Sequence, residues 1–257
     1  MTEVIYDGTY EGWLTAVFEA YEYKLTDTVF AKNETSGTLL FATSHLVVTD
    51  ISKAKRVLDG LKLRLSAKGL SEIYKAFLSE LPQIEETMFQ FVQHVLANTK
   101  NVEEDFSNNA VWNLRKASRL TRQESHRMEA FVRFKLAKDQ LYYAIIEPDC
   151  NVLPLIESHF KNRYADQRWL IYDAKRKYGI YYDLENVATI MLKFDMTVSS
   201  SKNLSEICDE QEEFFQNLWR YYFSSVTIES RKNMKLHIQH MPKRYWKNLI
   251  EKIPNIK

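Results

Sequence analysis

Glycine and proline are scarce. The 257 residues hold six of one and five of the other, about 4% of the chain against roughly 12% in an average protein. So few breakers exclude a loop-rich or low-complexity chain and predict long elements with short connections. Cysteine is scarcer still, with Cys150 and Cys208 alone. Two cysteines cannot build a disulfide framework, and the lack of any Cys-x-x-Cys pair excludes a cysteine-only zinc site or cysteine-bound cluster. There is no Gly-rich phosphate loop and no dinucleotide fingerprint, so no cofactor is expected. No apolar run approaches the ~20 residues that span a bilayer. Met1-Thr2-Glu3-Val4-Ile5-Tyr6-Asp7 has neither the basic nor the apolar stretch of a signal peptide. A cytoplasmic protein without membrane association is expected.

What is present suits a globular core. Apolar residues make up 45%, aromatics 13% and charged residues 27%, with a net charge of +1, which excludes a disordered polyelectrolyte. Val4 to Tyr6 reads as a short strand before the Asp7-Gly8 turn, and Trp13, Leu14, Val17, Phe18 and Tyr21 recur at helical spacing. Residues 29–48 read as one or two strands, with Thr38 to Phe41 and His45 to Val48 as the apolar pieces. Thr49-Asp50 caps a helix carrying Ala54, Leu58, Leu61 and Leu65. Ser71 opens another, and Pro82 suits the first turn of the next. Ala110 to Leu120 reads as helix. Thr121-Arg122-Gln123-Glu124 has the form of a capping box for a short helix through Met128.

Near residue 129 the period changes from 3.6 to 2. Ala130, Val132, Phe134 and Leu136 alternate with Phe131, Arg133 and Lys135, and a turn at 138–140 leads into Leu141 to Ile146, an antiparallel hairpin. Pro148-Asp149 is read as capping a helix to Arg163. Trp169 to Tyr172 and Gly179 to Tyr182 form a second hairpin, Val187 to Phe194 leans towards strand, and Ser205 to Phe223 and Ile228 to His240 read as helices. The expected fold is α+β and helix-rich. Its small antiparallel sheet comes mainly from residues 129–194, flanked by N- and C-terminal helices. The chain is read as one compact unit with a seam between a mostly helical 1–120 and a sheet-containing 121–257.

Charge is unevenly spread. Residues 71–108 carry seven acids against two bases, whereas 111–138 carry eight bases against Glu124 and Glu129. From Trp219 onward nine bases oppose Glu229 and Glu251, interleaved with Tyr221, Tyr222, Phe223, Tyr245 and Trp246. Cations among aromatics suit a phosphate backbone and exposed bases. Helical amphipathicity sorts residues in the same way, and that reading stays open.

Chemistry-bearing candidates each have a plainer alternative. His237 and His240 lie three apart on a helix, but no third ligand stands at helical offset, so no metal is expected. His126 beside Arg127 could serve as a base or an anion contact, or as a hydrogen-bonded structural histidine. Asp149 next to Cys150 reads as an acid–nucleophile pair or as a helix cap. His159 and Arg163 share a helix face at i, i+4. The residues alone nominate anion contacts and no reaction.

The order of motifs resembles a bacterial family described as probable DNA-metabolism proteins. The resemblance rests on Tyr6-Asp7-Gly8-Thr9, Asp50 with Lys53-Ala54, His126-Arg127-Met128, Arg133-Phe134, Pro148-Asp149 and Leu153-Pro154-Leu155. It continues through His159-Phe160, Trp169, Ile171-Tyr172-Asp173, Tyr178-Gly179, Tyr181-Tyr182-Asp183 and Met241-Pro242-Lys243-Arg244-Tyr245-Trp246. The resemblance implies a role beside a radical-SAM protein of DNA modification or repair. Some relatives carry a following uracil-DNA-glycosylase-like domain, which is not expected within residues 1–257. It implies no catalytic residues.

The function expected is that of a nucleic-acid-binding or accessory protein in DNA repair or modification, with DNA and a radical-SAM protein as partners. Arg127, Arg133, Arg163, Arg176, Arg231, Lys243 and Arg244 would hold phosphates, and Tyr245 or Trp246 would stack on a base. The alternatives are an enzyme acting on a nucleotide or DNA through His126, Asp149 and Asp173, and a protein-interaction module without nucleic-acid contact.

Overall fold

The computed structural model describes residues 1–33, 42–191, 216–219 and 233–252 and is an α+β fold with two sheets. It divides into two compact units, Met1–Arg122 and Gln123–Lys257, where the sequence reads as one unit with a seam at 120/121.

The first unit contains β1 (Thr2–Tyr6), α1 (Tyr10–Glu22), β2 (Thr28–Lys32), β3 (Thr43–Leu46), α2 (Ile51–Lys62), α3 (Ala67–Phe77) and α4 (Ile84–Ala97), followed by the start of α5 (Asn109–Phe131). Its strands run in the order β2-β1-β3, both pairs parallel. A parallel pair needs a crossover rather than a hairpin turn, and α1 supplies it between β1 and β2. The turn at its entrance is built by Gly8 at φ 83° and by Asp7. The Asp7 carboxylate accepts from the Thr9 amide at 2.9 Å and the Thr49 hydroxyl at 2.7 Å. Thr9 then caps α1 by accepting from the Gly12 amide, and Asp50 caps α2 through Ser52 and Lys53, as its sequence indicates. Val4, Tyr6, Trp13, Val17, Ile73, Met88 and Val92 form the core. Two boundaries shift: α3 begins at Ala67 under a Ser66 cap, and α4 begins after Pro82. The expected strand at 38–41 lies outside the described residues.

The second unit takes the rest of α5, then β4 (Lys135–Leu136), β5 (Tyr142–Ile146), α6 (Leu153–Arg163), β6 (Trp169–Asp173), β7 (Tyr178–Tyr182), β8 (Val187–Ile190) and α7 (Met234–His240). Two 3-10 turns follow at Lys243–Asn248 and Ile250–Lys252. The sheet order is β4-β5-β6-β7-β8. The two expected hairpins are present, β4 with β5 and β6 with β7. β5 and β6, however, pair in parallel, so the sheet is mixed rather than antiparallel. The reason is α6, which lies between them and makes a βαβ crossover. Every residue of the central β6 is buried.

Three local readings are corrected. Residues 121–124 do not start a helix: α5 runs unbroken from Asn109 to Phe131, and the Thr121 hydroxyl donates back to the Ala117 carbonyl at 3.3 Å. The alternation from 130 to 136 is not a strand either. Met128 and Val132, one helical turn apart, are both buried in the core, so packing sets the end of α5 and leaves only Lys135–Leu136 for the ladder with β5. Nor does Asp149 cap α6, which starts at Leu153 with Pro154 in its first turn and no side-chain cap. Of the expected C-terminal helices, 216–219 and Met234–His240 are helical, Asn233 is the cap of the latter, and the remainder lies outside the described residues. Among the described residues no helix is long and apolar enough to cross a membrane.

Candidate functional site

The second unit holds a buried ionic clamp and an open cleft. The clamp centres on Glu124, which α5 places in the interior at 3% exposure. One carboxylate oxygen accepts from the Asp149 amide at 3.0 Å. The other accepts from Arg244 Nη2 at 2.7 Å and from the Tyr245 hydroxyl, with Arg127 Nη1 3.8 Å away. Arg244 Nε also lies 3.1 Å from the Asp149 carboxylate. Burial works against the Arg244 charge, but the Glu124 and Asp149 carboxylates outweigh it and hold the guanidinium above its ordinary value. Burial pushes the Tyr245 phenol up, and its bond to Glu124 pushes it further.

The loop after β5 is also held by the β6–β7 turn. Asp173 is fully buried and accepts from the Lys175 and Arg176 amides at 2.9 and 3.2 Å and from Arg176 Nη1 at 2.8 Å. Arg176 in turn donates to the Pro148 and Asp149 carbonyls at 3.1 and 2.8 Å. A buried carboxylate whose lone pairs are filled by a guanidinium and two amides holds the turn in place. The clamp ties α5, the 147–152 loop, the β6–β7 turn and the first 3-10 turn together.

The cleft lies elsewhere in this unit and has a volume of about 810 Å³. Its wall is aromatic: Phe134 meets Phe160 and Tyr164 edge-on at 5.7 and 5.3 Å, and Tyr142 and Trp219 complete it. His126, Glu129, Arg133, His159, Arg163 and Gln167 supply its polar lining. Arg133 is committed to structure, donating to the Ala130 carbonyl at 2.7 Å and to the buried Glu251 carboxylate at 2.9 Å. Its guanidinium lies 5.5 Å from the Trp219 ring, whose indole N–H donates to the other Glu251 oxygen at 3.0 Å. Burial opposes the Glu251 charge, but the Arg133 hydrogen bond wins and lowers its pKa.

The nominated residues therefore separate. His126, 85% exposed at its side chain and 3.3 Å from Glu129, lines the cleft, whereas Asp149 and Asp173 belong to the clamp. The three candidate catalytic groups do not share a pocket. Arg127, Arg133, Arg176 and Arg244 face carboxylates, while Arg163 and Lys243 are exposed. Tyr245 is buried with its hydroxyl on Glu124, the setting of an anchor rather than a stacking platform. Trp246 is half-buried, donates to the Met241 carbonyl at 3.0 Å, and has Lys243 and Lys252 at 6.0 and 5.3 Å from its ring. His237 lies beside that ring at 5.9 Å. Arg231 lies outside the described residues. Among the described residues no three His, Cys, Asp or Glu side chains gather as a metal site.

Sequence reasoning passed over the two acids that matter most, Glu124 and Glu251. A signal existed: each is one of only two acids in a strongly basic stretch. A lone carboxylate among many cations is the natural counter-ion when some of them are drawn inside.

Comparison with known families bears on the same span. Residues 82–251, about two thirds of the chain, match a domain of unknown function, DUF4130. The chain belongs to this family. The matched span includes the whole clamp and the whole cleft. No curated protein and no solved structure matches the chain.

Proposed function

We propose that the chain is a nucleic-acid-binding accessory protein of DNA repair or modification, working in the cytoplasm beside a radical-SAM enzyme. The supporting observation is the pairing of cations with aromatic rings on the second unit, Arg163 and Lys243 among them being exposed. Arg163 lies 5.7 Å from the Tyr164 ring, and Lys243 and Lys252 flank Trp246. A cation beside a ring offers a strand two things at once: charge for its phosphates and a π-face for its bases. The partner and the repair context come from the family resemblance described above.

The test is fluorescence anisotropy of the full chain with labelled single-stranded DNA across a salt series. Each phosphate contact contributes about −0.7 to the slope of log affinity against log salt for single strands. The Lys243→Ala/Lys252→Ala double variant should lower that slope by about 1 to 2. No binding at low salt, or a salt-independent affinity, overturns the reading. Co-purification with the radical-SAM enzyme tests the partnership separately.

A further inference from the structure

We propose that the cleft of the second unit seats one unpaired nucleotide, its base against the aromatic wall and its phosphate on Arg163. This rests on the nucleic-acid reading above and narrows it to a site and a ligand class.

Size comes first. About 810 Å³ lies within the roughly 300–1,000 Å³ of small-ligand sites. That suits a single nucleotide unit and is far too small for a double helix. The wall comes second. A base can lie on aromatic rings only when its π-face is free of its neighbours in a duplex. Here the rings are fixed in advance, because Phe134, Phe160 and Tyr164 hold one another at 5.3 to 6.1 Å. Such a wall orders little on binding.

The charges decide the orientation. Among the described residues two arginines line the cleft, and Arg133 is consumed by Glu251 and two main-chain carbonyls. Arg163, the last residue of α6, is exposed. Among the described residues its guanidinium meets the Tyr164 ring and no carboxylate. It is the cation left for an anion, next to the wall where a base would lie. Glu129, the acid of the lining, is turned to His126 at 3.3 Å. His159 and Gln167 supply hydrogen-bonding groups of the kind that read a base edge.

The same chemistry could serve a nucleotide within a strand or a free mononucleotide, and the experiment separates them. A labelled single strand is titrated with the full chain, then competed with the fully paired duplex, with a sugar-phosphate strand lacking bases, and with deoxynucleoside 5′-monophosphates. The single strand should bind about tenfold or more tightly than the duplex or the base-free strand. Arg163→Ala should weaken it about tenfold, the loss of one charge-assisted phosphate contact. Gln167→Ala, checked by circular dichroism alongside Arg163→Ala, gives a second cleft variant that should also weaken binding. Equal affinity for duplex and single strand overturns the inference. So does binding that Lys243→Ala weakens and neither cleft variant touches, although the broader nucleic-acid reading survives that result. Monophosphate binding that Arg163→Ala abolishes, with no strand bound, supports the nucleotide seat and assigns it to free nucleotides, at the cost of the strand reading. Binding of neither overturns both.

Discussion

Replacing Glu124 with Ala should be among the most destabilising single changes in the second unit. The carboxylate serves the Asp149 amide, Arg244 and Tyr245. Its removal leaves the buried Tyr245 hydroxyl without that acceptor, a loss of about 1–3 kcal/mol. Arg244 is 41% exposed at its side chain, so water recovers part of what it loses, and that contact adds only about 1 kcal/mol. The Asp149 amide adds a similar amount. The total of about 3–5 kcal/mol agrees with the range for removing one partner of a buried ion pair. For a chain of this size it should lower Tm by roughly 10 °C.

Glu124→Gln keeps one acceptor oxygen but replaces the other, with its charge, by an NH2 donor, so it loses part of the network and should fall between Ala and the parent. The assay is urea unfolding followed by circular dichroism, with Tyr245→Phe and Glu124→Ala/Tyr245→Phe completing a double-mutant cycle. A shared network gives a coupling energy of about 0.5–3 kcal/mol. A Glu124→Ala variant within about 0.5 kcal/mol of the parent, or strictly additive effects, would refute the clamp as a stabilising unit.

Two further changes test the packing and the electrostatics. At Gly179 in β7 an added Cβ would stand 2.8 Å from the Ile171 carbonyl oxygen. That atom belongs to the central strand and cannot turn aside, so Gly179→Ala should cost about 1–3 kcal/mol in urea unfolding. Gly60→Ala, with open space around its Cβ, should instead stabilise by about 0.5–1 kcal/mol; equal effects at the two glycines would refute the packing argument. In the first unit, burial raises the pKa of Glu86, whose carboxylate accepts from the Phe30 amide at 2.8 Å. A carboxyl with a raised folded pKa is favoured in its protonated form. Its contribution is present below the unfolded pKa and is lost as pH rises through the folded one. Glu86→Gln keeps the acceptor, so it should raise Tm at pH 7 and leave Tm at acid pH unchanged; a lower Tm at pH 7 would contradict the argument.

The sequence by itself determined the elements whose signals are local. Asp7-Gly8 reads as a turn and Asp50 as a cap, and both serve so, and the 3.6 periodicity of α2 and α4 matches their buried faces. The hairpin Trp169–Tyr182 is visible because two short apolar runs flank the polar turn at Lys175-Arg176-Lys177. Arg163 could be picked out as a cation on a helix face, and its exposure is a local consequence of ending α6. Tertiary structure decided everything that depends on what lies opposite. The parallel pairing of β5 with β6 follows from the path of α6, which no strand pattern records. The unbroken α5 follows from burial of Met128 and Val132, which overrides an apparent cap and an apparent alternation. Above all, the division of arginines into those spent on structure and those left for a ligand depends on distant carboxylates. Arg133 meets Glu251 and Arg244 meets Glu124 across more than a hundred residues of chain. A charge is written in the sequence, but its partner is set by the fold. Whether a cation is available to bind is therefore a property of the folded chain alone.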